Sequence, residues 1–96
     1  MKNPFEAPHG HEGHEDFRNT IKELNSLEKQ FFYKSTSEED SGALLSNMAI
    51  LLDGLEKERG KYFSPEERAW VDLRQYGTIG YFMGNLEKKD LKELWR

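Results

Sequence analysis

Three histidines near the start of the chain are the residues best suited to metal chemistry. His9, His11 and His14 lie close together in sequence, with Glu12 and Glu15 among them. Imidazole and carboxylate groups are ligands for zinc, nickel and copper. A flexible segment loses conformational entropy when it gathers such ligands. We therefore interpret the histidines as part of a solvated arm, and a metal site formed by His9, His11 and His14 is the alternative.

No arrangement in the sequence is typical of a catalytic site. All three histidines fall in the same N-terminal segment, where nothing is predicted to hold a base against a nucleophile. The chain has no glycine-rich phosphate loop, no Gly-x-Ser-x-Gly and no His-Glu-x-x-His. We therefore predict a protein that is not an enzyme and that uses no cofactor.

Aromatic residues occur side by side at several places in the chain, and Trp95 adds one more near the last residue. Successive residues of a helix point about 100° apart, so neighbouring rings cannot all enter one narrow core. We expect some of them to be exposed and to anchor a partner protein. The competing interpretation is that wide apolar helix faces bury most of them. The predicted anchors are Phe31, Phe32, Tyr33, Tyr81, Phe82 and Trp95.

Negative charge is concentrated in the middle of the chain. Residues 35–56 carry five acidic residues and no basic one, and Glu38, Glu39 and Asp40 are consecutive. We predict that these three steer a partner toward the aromatic anchors, although pairing with a neighbouring helix is a purely structural explanation. An acidic mimic of nucleic acid, which would block a DNA- or RNA-binding protein, is a further alternative. The net charge of −4 disfavours direct binding to nucleic acid.

The element at the centre of the predicted fold is a helix that includes residues 43–55. Its apolar residues form two adjacent rows at helical spacing, so its apolar face is wide enough to contact other helices on two sides. The first row is Leu44, Met48, Leu51 and Leu55, and the second is Leu45 and Leu52.

Capping residues and apolar spacing predict the bounds of the helices. The first helix is predicted over residues 15–34, and the second over residues 38–59, between a Ser37 cap and Gly60. Ser64-Pro65-Glu66-Glu67 is a capping box that begins a third helix, which we expect to continue to Met83. A turn at Gly84-Asn85 precedes a last helix within residues 86–95, with Leu91 and Trp95 facing inward.

These patterns predict an all-α fold, a small three- to four-helix bundle with a flexible N-terminal arm. The arm is residues 1–14, which we expect Phe5 to pin to the body, and residues 15–96 form a single helical domain. Residues 76–95 resemble part of a tetratricopeptide unit, in which a small residue, an aromatic pair and a turn glycine join two helices. Since the sequence has no second copy of this pattern, the resemblance implies a single αα-hairpin.

Glycines mark the places where we expect close helix contacts. Gly77, Gly80 and Gly84 share one face of the predicted third helix, which would let a neighbouring helix approach closely. A homodimer that buries this strip is therefore a variant of the interaction hypothesis. Gly42 and Gly54, inside the second helix, are expected at close contacts as well.

Composition narrows the possible classes of protein and their location in the cell. The chain has no cysteine, which excludes disulfides and thiol chemistry within it. Its longest apolar run, residues 48–52, is far shorter than the roughly 20 residues that cross a bilayer. The first residues lack the apolar stretch of a secretory signal. We expect a cytoplasmic protein that binds another protein or a second copy of itself, with no membrane partner and no direct nucleic-acid partner.

Overall fold

Four α-helices follow one another along the chain and pack into a bundle. The computed structural model describes residues 4–6, 11 and 13–95, and this part of the chain contains no strand. The predicted all-α bundle is therefore confirmed. None of the described helices is long and apolar enough to cross a membrane. The helices are α1 (Glu15–Tyr33), α2 (Glu38–Arg59), α3 (Pro65–Phe82) and α4 (Lys88–Leu94), and short 3-10 turns form at Pro4–Glu6 and Gly60–Tyr62.

The caps predicted for α2 and α3 are present. The Ser37 hydroxyl accepts a hydrogen bond from the Asp40 amide at 3.1 Å. At α3, the Ser64 hydroxyl accepts from the Glu67 amide at 3.1 Å, and the Glu67 carboxylate accepts from the Ser64 amide at 2.7 Å. This reciprocal pair satisfies two amides that the first turn of a helix leaves without a partner. Gly60, in contrast, has an ordinary φ of −56° and leads into the 3-10 turn, so it does not end α2 in the left-handed conformation.

The core lies between α2 and the helices on either side of it. The wide apolar face of α2 does contact both α1 and α3, as its pattern predicted. Leu44 and Leu51, which we placed in the leading row, are only partly buried. The apolar residues of α2 that are buried deepest are Leu45, Met48, Leu52 and Leu55. The buried residues of α1 are Phe17, Ile21, Leu24, Leu27 and Phe31.

Two glycines of α3 leave room for α4 to lie close to it. A methyl group at Gly77 would be 2.6 Å from Trp95 Nε1, and one at Gly80 would be 2.5 Å from Leu86 Cδ1. Real side chains do not tolerate such distances, so a side chain at Gly77 would force the Trp95 ring or Leu91 to move, whereas at Gly80 the flexible end of Leu86 would have to shift. The chain's own C-terminal segment covers this part of the strip. The close approach expected at Gly77 and Gly80 is therefore made within one chain, and binding to a second copy stays a prediction.

The other glycines have different surroundings. Gly84 has a φ of +79° and follows the end of α3, where its amide and those of the next two residues bond back to the last turn. This is a glycine C-cap rather than a helix contact. Nothing lies within 4 Å of a methyl group added at Gly42 or Gly54. The expectation that these two mark close contacts is therefore wrong.

A buried arginine links α1, α3 and the C-terminal residues. Arg74 Nε donates to Glu28 Oε1 at 3.0 Å, and Nη2 donates to the Trp95 carbonyl at 3.3 Å. The guanidinium also lies 3.9 Å from the ring centroid of Trp70. Burial lowers the pKa of Arg74, while the charge of Glu28 and the hydrogen bond to it act in the opposite direction. An arginine remains charged at neutral pH, so a charged side chain connects these elements inside the core.

Replacing Gly77 by alanine tests the close contact between α3 and α4. The added methyl group would force Trp95 or α4 to move, and we expect the free energy of unfolding to fall by about 1–3 kcal/mol. Gly54→Ala is the matched control, since it also lies inside a helix but faces open space. It should stabilise the protein by about 0.4–1 kcal/mol. Urea unfolding followed by circular dichroism measures both, and equal effects would contradict the close contact.

Candidate functional site

All six aromatic residues predicted as anchors are joined by direct ring contacts. The ring centroid of Phe82 lies 6.0 Å from that of Tyr81, which lies 5.7 Å from Phe31 of α1. Phe31 and Phe32 are 5.0 Å apart, and Phe32 lies 5.8 Å from Trp95. These contacts are edge-to-face, an arrangement that aromatic rings favour. With Tyr33, which lies 6.5 Å from Phe32, they form the aromatic cluster: Phe31, Phe32, Tyr33, Tyr81, Phe82 and Trp95.

The aromatic cluster has a buried centre and two exposed ends. Phe31 and Trp95 are buried, so their prediction as accessible anchors is wrong for this conformation. Phe31 continues the core row of α1, and Trp95 fills the space that Gly77 leaves open. The exposed ends are Tyr33, which is 72% exposed, and Phe82, which is 51% exposed. The remaining two members are partly buried.

A groove of about 690 Å³ lies at the Phe82 end of the aromatic cluster. One wall comes from the α1–α2 connection and the start of α2, and the other comes from the end of α3 and the residues before α4. Tyr81, Phe82 and Leu86 give the groove its large apolar side chains. Its volume lies within the roughly 300–1,000 Å³ typical of small-ligand sites. The groove can therefore hold a few side chains of a partner.

Charged residues line the groove on both walls. Glu38 belongs to the α2 wall, and Glu87 belongs to the wall before α4. Glu39 and Asp40, the other predicted steering residues, are exposed on the same first turn of α2. Lys88 also lines the groove, but its ammonium group donates to the Ser35 carbonyl at 3.2 Å and to the Ser35 hydroxyl at 2.9 Å.

The N-terminal segment places a histidine inside the core, which the sequence analysis did not predict. His11 is fully buried, and its ring stacks on Phe17 with centroids 4.1 Å apart. The expected contact of Phe5 with the body is confirmed, since its buried ring lies 5.2 Å from that of Trp70. The expectation of a solvated arm is wrong for His11, because aromatic rings and a buried carboxylate surround it. His14 is exposed, and His9 lies outside the described residues.

Both ring nitrogens of His11 have partners. Arg59 Nε donates to Nδ1 at 3.3 Å, so the neutral ring carries its proton on Nε2. That nitrogen donates to Glu67 Oε1 at 3.4 Å, and the same oxygen accepts from the Ser64 amide. The other Glu67 oxygen is buried and has no hydrogen-bond partner. The contact thus ties the N-terminal segment to the capping box of α3.

A buried histidine beside a carboxylate raises the possibility of general-base catalysis. Here the ring has no exposed surface, and Arg59 already donates to the nitrogen that would accept a proton. No substrate can reach His11 in this conformation. The same arginine places a positive charge where a metal ion would bind to Nδ1. Among the described residues, no three His, Cys, Asp or Glu side chains form a group that could hold a metal ion.

Comparison of the chain with protein-family models, with curated proteins and with solved structures finds no match in any of the three. Function must therefore be argued from the groove, the aromatic cluster and the His11 contacts themselves. Of these, the groove is the feature open to another molecule, because it combines exposed apolar surface with charged groups.

Replacing His11 by alanine tests its structural role. The change leaves a cavity among aromatic rings and removes a partner from the buried Glu67, so we expect a loss of about 2–4 kcal/mol in unfolding free energy. His14→Ala is the control, because His14 belongs to the same segment but is exposed. It should change stability by less than about 0.5 kcal/mol. If urea unfolding gave the same result for both variants, His11 would not be part of the core.

Proposed function

We propose that this protein is a non-enzymatic interaction module that acts by binding a segment of a partner protein in the groove. An adaptor, an inhibitor and a regulator would all use such a surface. The observation that carries the proposal is the position of Phe82, a half-exposed aromatic side chain in a groove between two helix ends. Exposed aromatic residues beside charged groups are typical anchors of protein interfaces.

The surroundings of Phe82 favour binding at this end of the aromatic cluster. Its ring rests on Tyr81, which in turn contacts the fully buried Phe31. A side chain with such support loses little conformational freedom when a partner binds, so its ordering opposes binding less. Large apolar groups of a partner can then displace water from the groove while the charged rim stays hydrated.

The competing functions have weaker support among the described residues. A metal-binding arm would need His11, which instead contacts Arg59 and Glu67 inside the core. A nucleic-acid mimic would need carboxylates spaced along a surface, whereas Glu38, Glu39 and Asp40 occupy a single helical turn. A second copy of the chain remains a candidate partner for the groove, and the cytoplasm remains the proposed location.

Selection from a library of random displayed peptides tests the proposal. The full chain is immobilised as the wild type, as Phe82→Ser and as Tyr76→Ser. Tyr76 is the matched control, since it is an aromatic residue of α3 that is 64% exposed but does not line the groove. We expect wild type and Tyr76→Ser to enrich the same peptides. Phe82→Ser should bind them about tenfold or more weakly, because the anchor is lost.

The folded state of each variant is first checked by circular dichroism and thermal unfolding. Failure to enrich any peptide on wild type would contradict the proposal. So would enrichment of the same peptides on Phe82→Ser with undiminished affinity. A stronger effect from Tyr76→Ser would move the binding surface to the outer face of α3.

A further inference from the structure

We infer that the groove takes a basic partner segment, in which arginine or lysine residues flank one large apolar side chain. This inference rests on the proposed function, because it names the chemistry of the segment that would enter the same groove. It follows from the carboxylates on the two walls, from the hydrogen bonds of Lys88, which is the one lysine among the lining residues, and from the apolar side chains of the groove.

The two walls present carboxylates from two different elements. Glu38 lies in the first turn of α2, and Glu87 precedes the first turn of α4. Glu39 and Asp40 add negative charge beside Glu38, and residues 35–56 contain no basic residue to offset it. A segment between the walls therefore meets negative charge on both sides. This favours cationic side chains and disfavours the phosphates of nucleic acids or of an anionic membrane.

The basic residues at the groove offset only part of this negative charge. Lys88 keeps its own charge, because it bonds to the uncharged carbonyl and hydroxyl of Ser35, and its ammonium lies 5.0 Å from the ring centroid of the buried Phe31. Glu38 and Glu87 outnumber it among the lining residues. Lys89 Nζ lies 3.4 Å from Glu87 Oε2, but both side chains are largely exposed. Exposed pairs of this kind contribute little and exchange readily with water. A partner's cation can therefore replace Lys89 at Glu87.

The apolar part of the groove requires a matching group on the partner. Tyr81, Phe82 and Leu86 line the groove together with Glu38 and Glu87, and the lining residues Gly42 and Gly84 add no side chain to it. A large apolar side chain can cover this surface while flanking cations reach the carboxylates. Arginine suits the flanking positions better than lysine, because its planar group stacks on aromatic rings and bonds carboxylates in a bidentate manner.

A peptide array tests this inference directly. Each synthetic peptide carries one leucine or phenylalanine, flanked on both sides by arginine, by glutamine or by glutamate. The full chain is applied to the array, and the strongest peptide of each set is then titrated by fluorescence anisotropy at low and high salt. We expect the arginine-flanked peptides to bind most tightly and to weaken most as salt rises.

Two double variants separate the local charges from the net charge. Glu38→Gln/Glu87→Gln removes the groove carboxylates and keeps the hydrogen-bonding capacity of the Glu87 side chain. Glu58→Gln/Glu66→Gln makes the same change in net charge with two exposed residues that do not line the groove. We expect the first variant to bind the arginine-flanked peptide about tenfold more weakly, because it loses two exposed ion pairs with the peptide. The second should bind it like wild type.

The outcomes distinguish the two proposals. If glutamine-flanked peptides bind as tightly as arginine-flanked ones, and Phe82→Ser abolishes both, the groove binds peptides but the inferred basic partner is wrong. Equal losses in the two double variants would also overturn the inference, since only net charge would matter. If no peptide binds, or if binding does not depend on Phe82, the interaction function of the groove fails as well.

Discussion

The close approach of α4 to α3 is the constraint on which the candidate site depends. It exists because Gly77 and Gly80 present no side chains, and Leu91, Trp95 and Leu86 occupy the space. The Trp95 indole donates to the Leu73 carbonyl at 3.0 Å, which fixes the end of α4 on α3. With its end fixed, α4 holds its first residues in place as one wall of the groove. A packing contact without exposed surface thus determines the shape of a surface feature.

α3 also holds the other end of the chain. Its capping box shares the Glu67 carboxylate with His11, and Trp70 contacts both Phe5 and Arg74. Burying these polar groups is unfavourable unless they have partners, and most of them do. As a result, the buried side chains of this 18-residue helix contact the N-terminal segment, α1 and the C-terminal residues. Substitutions inside α3 are therefore expected to affect distant parts of the fold together.

Local patterns predicted the helices well because caps and spacing act over a few residues. The bounds of α2 and the capping box of α3 follow from side chains within one turn of each other. The relative depth of the residues on α2 could not be predicted, because two apolar rows lie side by side on that helix. Only the positions of α1 and α3 decide that Leu45 and Leu52 are buried more deeply than Leu44 and Leu51.

The candidate site was predictable only in part, because its contacts are long-range. The sequence supplied the aromatic residues, but burial separates Phe31 from Tyr33 although they are two positions apart. His11 lies between polar and glycine residues and belongs to no periodic pattern. Its partner Glu67 is 56 residues away and already had a local role in the capping box. Nothing in a local pattern could join these two side chains.

The two exposed ends of the aromatic cluster have different surroundings. Tyr33 contacts Phe32 and lies 5.3 Å from the ammonium of Lys92, so its surroundings are exposed and positively charged. Phe82 instead contacts the partly buried Tyr81, and it lines a groove with carboxylates on both walls. An apolar side chain that lines a groove can bury more surface against a partner than a ring that projects into solvent. The two ends therefore differ in shape and charge even though one set of ring contacts joins them, and this difference is why we propose the Phe82 end as the anchor for a partner.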